Sequence, residues 1–228
     1  MVLLGLLGIT SFSLFLFFGI KYSTSTSSSI LVNSQPIFTT LLSPLFIQEK
    51  YTIRQFIGVV LGLFGMAWVV TGGDFSVFSF SDKFIVGNIF GICAAISISI
   101  YYILLKKYVI LYGSVLPTFI TMTAGTLFLF FAALIGGAQL KSLRSLSGNQ
   151  WLMVLYLGVV CTALVYLIFN KAIDRVGVIK STAFKFLIPI FAVILSIVFL
   201  KETVNSAVYF GISLVIVSIL FIQIPGRK

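Results

Sequence analysis

Long apolar runs separated by short polar gaps divide this chain of 228 residues. Eight runs are legible, at 2–20, 26–47, 53–71, 84–105, 114–136, 151–170, 178–200 and 205–224. A hydrocarbon core about 30 Å thick is crossed by roughly 20 residues of α-helix. The runs have that length, and they lack the alternation of a membrane β-barrel. The pattern therefore predicts an all-α fold, a polytopic membrane helix bundle of eight transmembrane helices. The gaps hold nearly all the charge, at Glu49-Lys50, Asp82-Lys83, Lys106-Lys107, Lys141 to Arg144, Lys171 to Arg175 and Lys201-Glu202. The first run has no basic flank before it and no small-residue cleavage site after it, so it reads as a mature span and not as a secretory signal.

Composition agrees. Only 9% of the residues are charged and 60% are hydrophobic, against roughly 25% charged in a soluble domain. So little charge cannot cover a water-facing surface, and lipid must solvate much of the exterior. The net charge of +10 would suggest nucleic acid in a soluble protein; here the basic residues sit in inter-helix gaps and serve topology, so no nucleic-acid partner is expected. One side of the membrane collects nine of them: Lys50, Arg54, Lys106, Lys107, Lys171, Arg175, Lys180, Arg227 and Lys228. The other collects five: Lys21, Lys83, Lys141, Arg144 and Lys201. The excess places both termini in the cytoplasm of a plasma-membrane protein.

The chain also repeats itself. Shifted by the interval that separates Pro36 from Pro189, Gly5 falls on Gly158, Ser28 on Ser181, Phe38 on Phe191, Ser43 on Ser196, Phe46 on Phe199, Glu49 on Glu202 and Gly58 on Gly211, without a gap. Spans one to three thus correspond to spans six to eight. The shift is five spans, an odd number, so the copies cross the membrane in opposite senses. Inverted repeats of this kind characterise secondary transporters that work by alternating access.

The paired plan of a mid-helix proline followed by a terminal glutamate, in IPIFAVILSIVFLKE and its partner SQPIFTTLLSPLFIQE, resembles the EamA-like branch of the drug/metabolite transporter superfamily. The family's usual glycine before the glutamate is replaced by Gln48 and Lys201. The resemblance implies ten helices in two repeats of five. This chain then holds three helices of a first repeat, at 1–73, and a complete second repeat of five, at 84–224, so it is shortened at its start or reduced in architecture. The resemblance implies transport of a small metabolite or drug.

Few polar groups lie inside the spans. Lys185 is the only basic residue well within one, about 10 Å from the start of span seven at 1.5 Å per residue. It shares a helix face with Ser181, Pro189, Ala192 and Ser196. Span two carries the matching stripe Ser28, Gln35, Pro36, Thr39 and Ser43. A mid-membrane charge is costly, about 2.5–3.5 kcal/mol on insertion scales, and marks a functional site. Lys185, Gln35, Ser181 and Asn33 are therefore candidate solute-binding residues, with Lys185 attracting an anionic or carboxylate-bearing solute. Snorkelling of the lysine to the interface is the alternative. Asn33 lies on a different face of its helix from Gln35, and it and Asn170 also suit a bond to a neighbouring helix. Tyr101, Tyr102, Tyr156 and Tyr166 suit solute contact or an interfacial belt.

Pro36 and Pro189 each remove one backbone hydrogen bond and mark kinks, static or gating. Glu49 and Glu202 end the repeats and suit a cap on the following helix or pairing with Lys50 and Lys201. Gly58, Gly62 and Gly65 set small residues at helical spacing on span three, which favours close helix packing and, as a second use, a homodimer contact. Cys93 and Cys161 lie inside apolar runs and read as small buried hydrophobes. There is no histidine, no set of metal ligands and no phosphate-binding loop, so no metal, no cofactor and no enzymatic activity are expected. The chain reads as a gradient-driven transporter of small solutes, with a non-transporting structural or assembly protein of the membrane as the alternative.

Overall fold

The computed structural model describes residues 1–47, 49–75, 82–137, 147–201, 203 and 205–224. Among these, nine helical segments occur: α1 (Val2–Tyr22), α2 (Ser25–Val32), α3 (Gln35–Phe46), α4 (Ile53–Thr71), α5 (Asp82–Tyr112), α6 (Val115–Ile135), α7 (Gly148–Val176), α8 (Val178–Leu200) and α9 (Ser206–Gln223). Seven are long and apolar enough to cross a membrane. The second predicted span is the exception, because it is broken into α2 and α3. Eight and twelve residues give about 12 and 18 Å of helix, so only the two together match the hydrocarbon core. The fold is a polytopic helical bundle.

Helix starts are set by local chemistry. Thr52 and Gln55 form a capping box before α4, and Ser147 and Gln150 form one before α7. Thr24 accepts from the Ser27 N–H at the start of α2, and Asn205 accepts from the Ala207 N–H at the start of α9. The expected kinks are placed differently from the proline positions. Pro36 sits in the first turn of α3, where its missing N–H costs nothing, and the chain breaks just before it at Asn33 and Ser34. Pro189 likewise lies in the first turn of the second α-helical stretch of α8, Ile188–Leu195, behind a tight 3₁₀ turn at Phe184–Leu187. Single wide turns of π type interrupt α1 at Leu6–Ser11 and α7 at Val159–Leu164. These wide turns share the spacing of Pro36 and Pro189, as do the starts of α4 and α9.

Packing is organised by α5 and by the α4–α9 pair. The buried face of α5, from Ile98 through Tyr101, Tyr102 and Leu105 to Val109, packs with Leu4, Ile173 and Val178. A second cluster joins Val59 and Met66 of α4 to Val215 and Ile222 of α9 and to Phe186 of α8. Glycines let these backbones approach. A Cβ at Gly58 would lie 2.7 Å from Ile222 Cγ1, and one at Gly65 would lie 2.8 Å from Leu214 Cβ and 3.0 Å from the Gly211 carbonyl. The glycine stripe of the third predicted span is thus spent inside the chain, against α9. Thr10 Oγ1 donates to the Gly125 carbonyl at 2.8 Å, and Ser97 Oγ donates to the Leu7 carbonyl at 2.7 Å, which ties α1 to α6 and α5. Cys161 does not fit the expected burial: it is exposed on the outer face of α7, and Cys93 is half-buried.

Substituting Gly65 by leucine is expected to cost about 1–3 kcal/mol through overpacking of the α4–α9 seam. Gly158→Ala, at a site with open space around it, is expected to leave stability unchanged or raised. Thermal unfolding in detergent checks both.

Candidate functional site

The break between α2 and α3 and the tight turn in α8 bring two predicted residues together. Lys185 lies in the 3₁₀ turn of α8, and Gln35 is the first residue of α3. Lys185 Nζ donates to Gln35 Oε1 at 2.5 Å. The same ammonium sits 4.8 Å from the centroid of the Tyr102 ring and 5.1 Å from that of Phe169. An ammonium over an aromatic face gains about 0.5–2 kcal/mol, more when desolvated. The lysine head therefore turns inward to α3, α5 and α7 and does not run along its own helix to the interface.

The site is short of negative charge. The chain has five carboxylates, Glu49, Asp74, Asp82, Asp174 and Glu202, and all lie at span ends or in gaps. The ammonium is held by one amide oxygen and two ring faces, all neutral. Gln35 is 1% exposed, and its Nε2 has no protein partner. One cation and one uncommitted donor thus stand side by side at mid-span, an arrangement that suits an anionic group.

The aromatic wall is the part that spacing alone misses. Tyr102 packs on Phe169 at 4.8 Å between centroids, with Tyr101 at 5.0 Å from Tyr102 and Tyr166 at 6.3 Å. Tyr101 and Tyr102 are 0% and 3% exposed, so the interfacial-belt reading is corrected for both: they lie in the core of the bundle. Tyr156, by contrast, is 59% exposed. Phe169 has no polar atom and no distinctive spacing, so nothing in the apolar run singles it out.

Other candidates are placed elsewhere. Asn33 sits at the end of its own helix, with Nδ2 donating to the Ser29 carbonyl at 2.8 Å. Ser181 is buried and its hydroxyl donates to the Gly177 carbonyl at 2.7 Å, one turn back on its own chain. Ser43 does the same to Thr39, whereas Ser28 and Thr39 keep buried hydroxyls without a protein partner. Asn170 joins helices, with Nδ2 donating to Thr118 Oγ1 at 2.7 Å.

Glu49 departs from both expected roles. The following helix is capped by Thr52, and Glu49 pairs with Lys106 of α5 instead of Lys50. It also accepts from the backbone N–H groups of Val178 and Ile179 at 3.4 and 3.3 Å. Its repeat partner Glu202 lies outside the described residues. No group of three or more metal-ligating side chains occurs among the described residues. A groove of about 640 Å³ between α6 and α7, lined by Thr118, Met122, Thr126, Val159, Ala163 and Leu167 among others, has an apolar wall and includes neither Lys185 nor Gln35.

Gln35→Leu is expected to destabilise the fold by about 1–3 kcal/mol, because it strips the ammonium of its hydrogen bond to the Gln35 amide. Adding Lys185→Met to that variant is expected to recover part of the loss. A double-mutant cycle of melting temperatures checks the coupling.

The chain matches the model of the EamA-like transporter family over residues 1–71 and 85–224. It is 29% identical over 202 residues to the uncharacterized transporter YdfC of Bacillus subtilis (strain 168), covering 88% of this chain and 63% of that protein. It is 24% identical over 223 residues to a probable terminal-alkyne amino-acid exporter of Streptantibioticus cattleyicolor, covering 97% of this chain and 71% of the relative. A solved crystal structure superposes with a TM-score of 0.82 at 16% identity, over 97% of this chain and 74% of that one, which shows the shared fold. The chain thus spans about 63% of the length of the first of these relatives. Helical bundle, repeated proline–glutamate plan and family match converge: the chain belongs to the EamA-like transporter family.

Proposed function

We propose that this chain carries small solutes across the plasma membrane by alternating access, driven by a solute or ion gradient, and that its solutes bear a carboxylate or other anionic group. The observation that carries this reading is Lys185: a mid-span ammonium held by Gln35 Oε1 and two ring faces, with no carboxylate of the chain inside a span. A buried cation without a counter-ion is costly. A solute carboxylate would neutralise it and take the uncommitted Gln35 Nε2 as a second donor. The relative named a probable terminal-alkyne amino-acid exporter supports this reading, since amino acids carry such a group.

In this reading the incomplete first repeat of three helices, at 1–73, and the complete second repeat of five, at 84–224, are the inverted halves between which alternating access would work. Pro36 and Pro189 stand in corresponding places at the break of α2–α3 and the tight turn of α8, where each path-lining helix would bend. The excess of basic residues on one side supports cytoplasmic termini. A second reading, an assembly or non-transporting membrane protein, draws on one observation. The first half of α7, Gly148–Leu164, is exposed at every residue, and Val178–Ala183 of α8 is covered while much of its far half is not. A partner helix pair or a second copy would cover that face.

Reconstitution separates the two readings. Proteoliposomes with the intact protein are expected to take up anionic metabolites from a class identified by ligand-induced thermal shift. Lys185→Ala and Lys185→Gln are expected to weaken apparent affinity roughly tenfold or more, the scale of one charge-assisted hydrogen bond. Uptake that is unchanged in both variants at every solute level would sink the role of Lys185. No uptake by the wild-type protein for any class favours the assembly reading.

A further inference from the structure

Glu49 joins parts of the chain that are far apart in sequence. It follows α3, the helix that begins with Gln35, and it reaches the start of α8, the helix that carries Lys185. The N-terminus of α8 has no side-chain cap of its own, and the Glu49 carboxylate supplies one by accepting from Val178 and Ile179. Gly177 makes room for it. Its φ is +87°, and a Cβ there would lie 2.7 Å from Glu49 Oε1. Lys106 of α5 neutralises the carboxylate from the other side, and the two side chains are only 18% and 22% exposed.

We propose that Glu49 is a latch that holds the solute path shut on its side of the membrane. The proposal rests on the transport reading, but it concerns residues other than Lys185 and Gln35. Seven residues separate Val178 from Lys185, about 10 Å of helix, so the latch stands between the solution on its side and the mid-span ammonium. The covering of α8 is lopsided in the matching sense. Val178, Ser181 and Ala183 beside the latch are 0–1% exposed, whereas Phe191, Val198 and Leu200 toward the far end are 59%, 62% and 69% exposed. Beside the latch lies a groove of about 500 Å³, lined by Ile47, Glu49, Lys106, Lys107, Ile110 and Leu111. Its second lysine, Lys107, would draw an anionic solute to the latch on that side.

The carboxylate's bonds all cross between elements, to α5 and to α8. Opening would release both contacts at once, so the closed state is stabilised by groups that the open state hydrates. Such an element has two discrete arrangements, as gating requires.

Cysteine accessibility tests the latch without any solute. In a Cys93→Ala, Cys161→Ala background, Ser181→Cys places a thiol one turn behind the latch, and a membrane-impermeant thiol reagent is applied from the Glu49 side. Glu49→Gln and Lys106→Gln are each expected to raise the labelling rate roughly tenfold, the scale of one lost charge-assisted hydrogen bond. A thiol at Ser218→Cys, buried within α9, is expected to stay unlabelled, which separates opening from general unfolding. Lys185→Ala is expected to impair uptake while leaving the labelling rate unchanged, so failure of the solute reading and failure of the latch are distinct outcomes. Unchanged labelling in both latch variants overturns the proposal. So does an equal rise at Ser181→Cys and Ser218→Cys, or loss of the folded protein in both variants, because each makes the contact a structural brace.

Discussion

Inside hydrocarbon, a backbone N–H or C=O without a partner costs several kcal/mol, and this constraint shapes the whole bundle. Helices satisfy their own backbones, so every place where a helix is interrupted must be repaired by something nearby. The turn between α2 and α3 is repaired locally: Ser34 Oγ donates to the Leu31 carbonyl and Asn33 Nδ2 to the Ser29 carbonyl. Pro36 lacks an N–H, but in the first turn of α3 none is missed. Thr40, Thr121 and Thr182 each donate their hydroxyl to a carbonyl one turn earlier, so residues that look like a polar stripe are partly occupied with their own chain. The stripe inferred from spacing therefore divides into spent hydroxyls, such as Ser43 and Ser181, and uncommitted groups, such as Gln35 Nε2 and Thr39 Oγ1.

With backbones satisfied internally, helices associate through close packing and a few interhelical bonds, since lipid is as apolar as leucine. Glycine makes that possible at the α4–α9 seam and where α1 crosses α6, with Gly5 set against Gly125. These contacts are firm. The opposite end of the mechanical scale is the Glu49 contact, which depends on charge and on a helix end and so can be broken by hydration.

Charge is scarce enough for each ionic contact to carry weight. Lys106 and Glu49 form an ion pair at a span end. Lys185 lies deeper and is balanced only by neutral groups. The two lysines thus differ in what they lack. One has its carboxylate from the chain itself, and the other is paired with an amide oxygen and two ring faces.

The sequence by itself determined the apolar runs that become spans and the few polar positions inside them. Hydropathy and capping act over a few neighbouring residues, which is why α4 and the limits of α8 fell where the pattern placed them, and why Lys185 and Gln35 were visible as polar positions in apolar runs. The break before Pro36 was partly legible: the proline marked it, but the position of the turn depended on Asn33 and Ser34 finding carbonyls behind them. Only the tertiary structure decided who meets whom. Lys185 and Gln35 are 150 residues apart, and Glu49 and Ile179 are 130 apart. Nothing in local spacing encodes such pairs. They follow from how α3, α5 and α8 pack on one another, which carried Tyr102 into the core and turned Lys106 toward Glu49. Periodicity shows which face of a helix is polar; close packing of whole helices decides what that face touches.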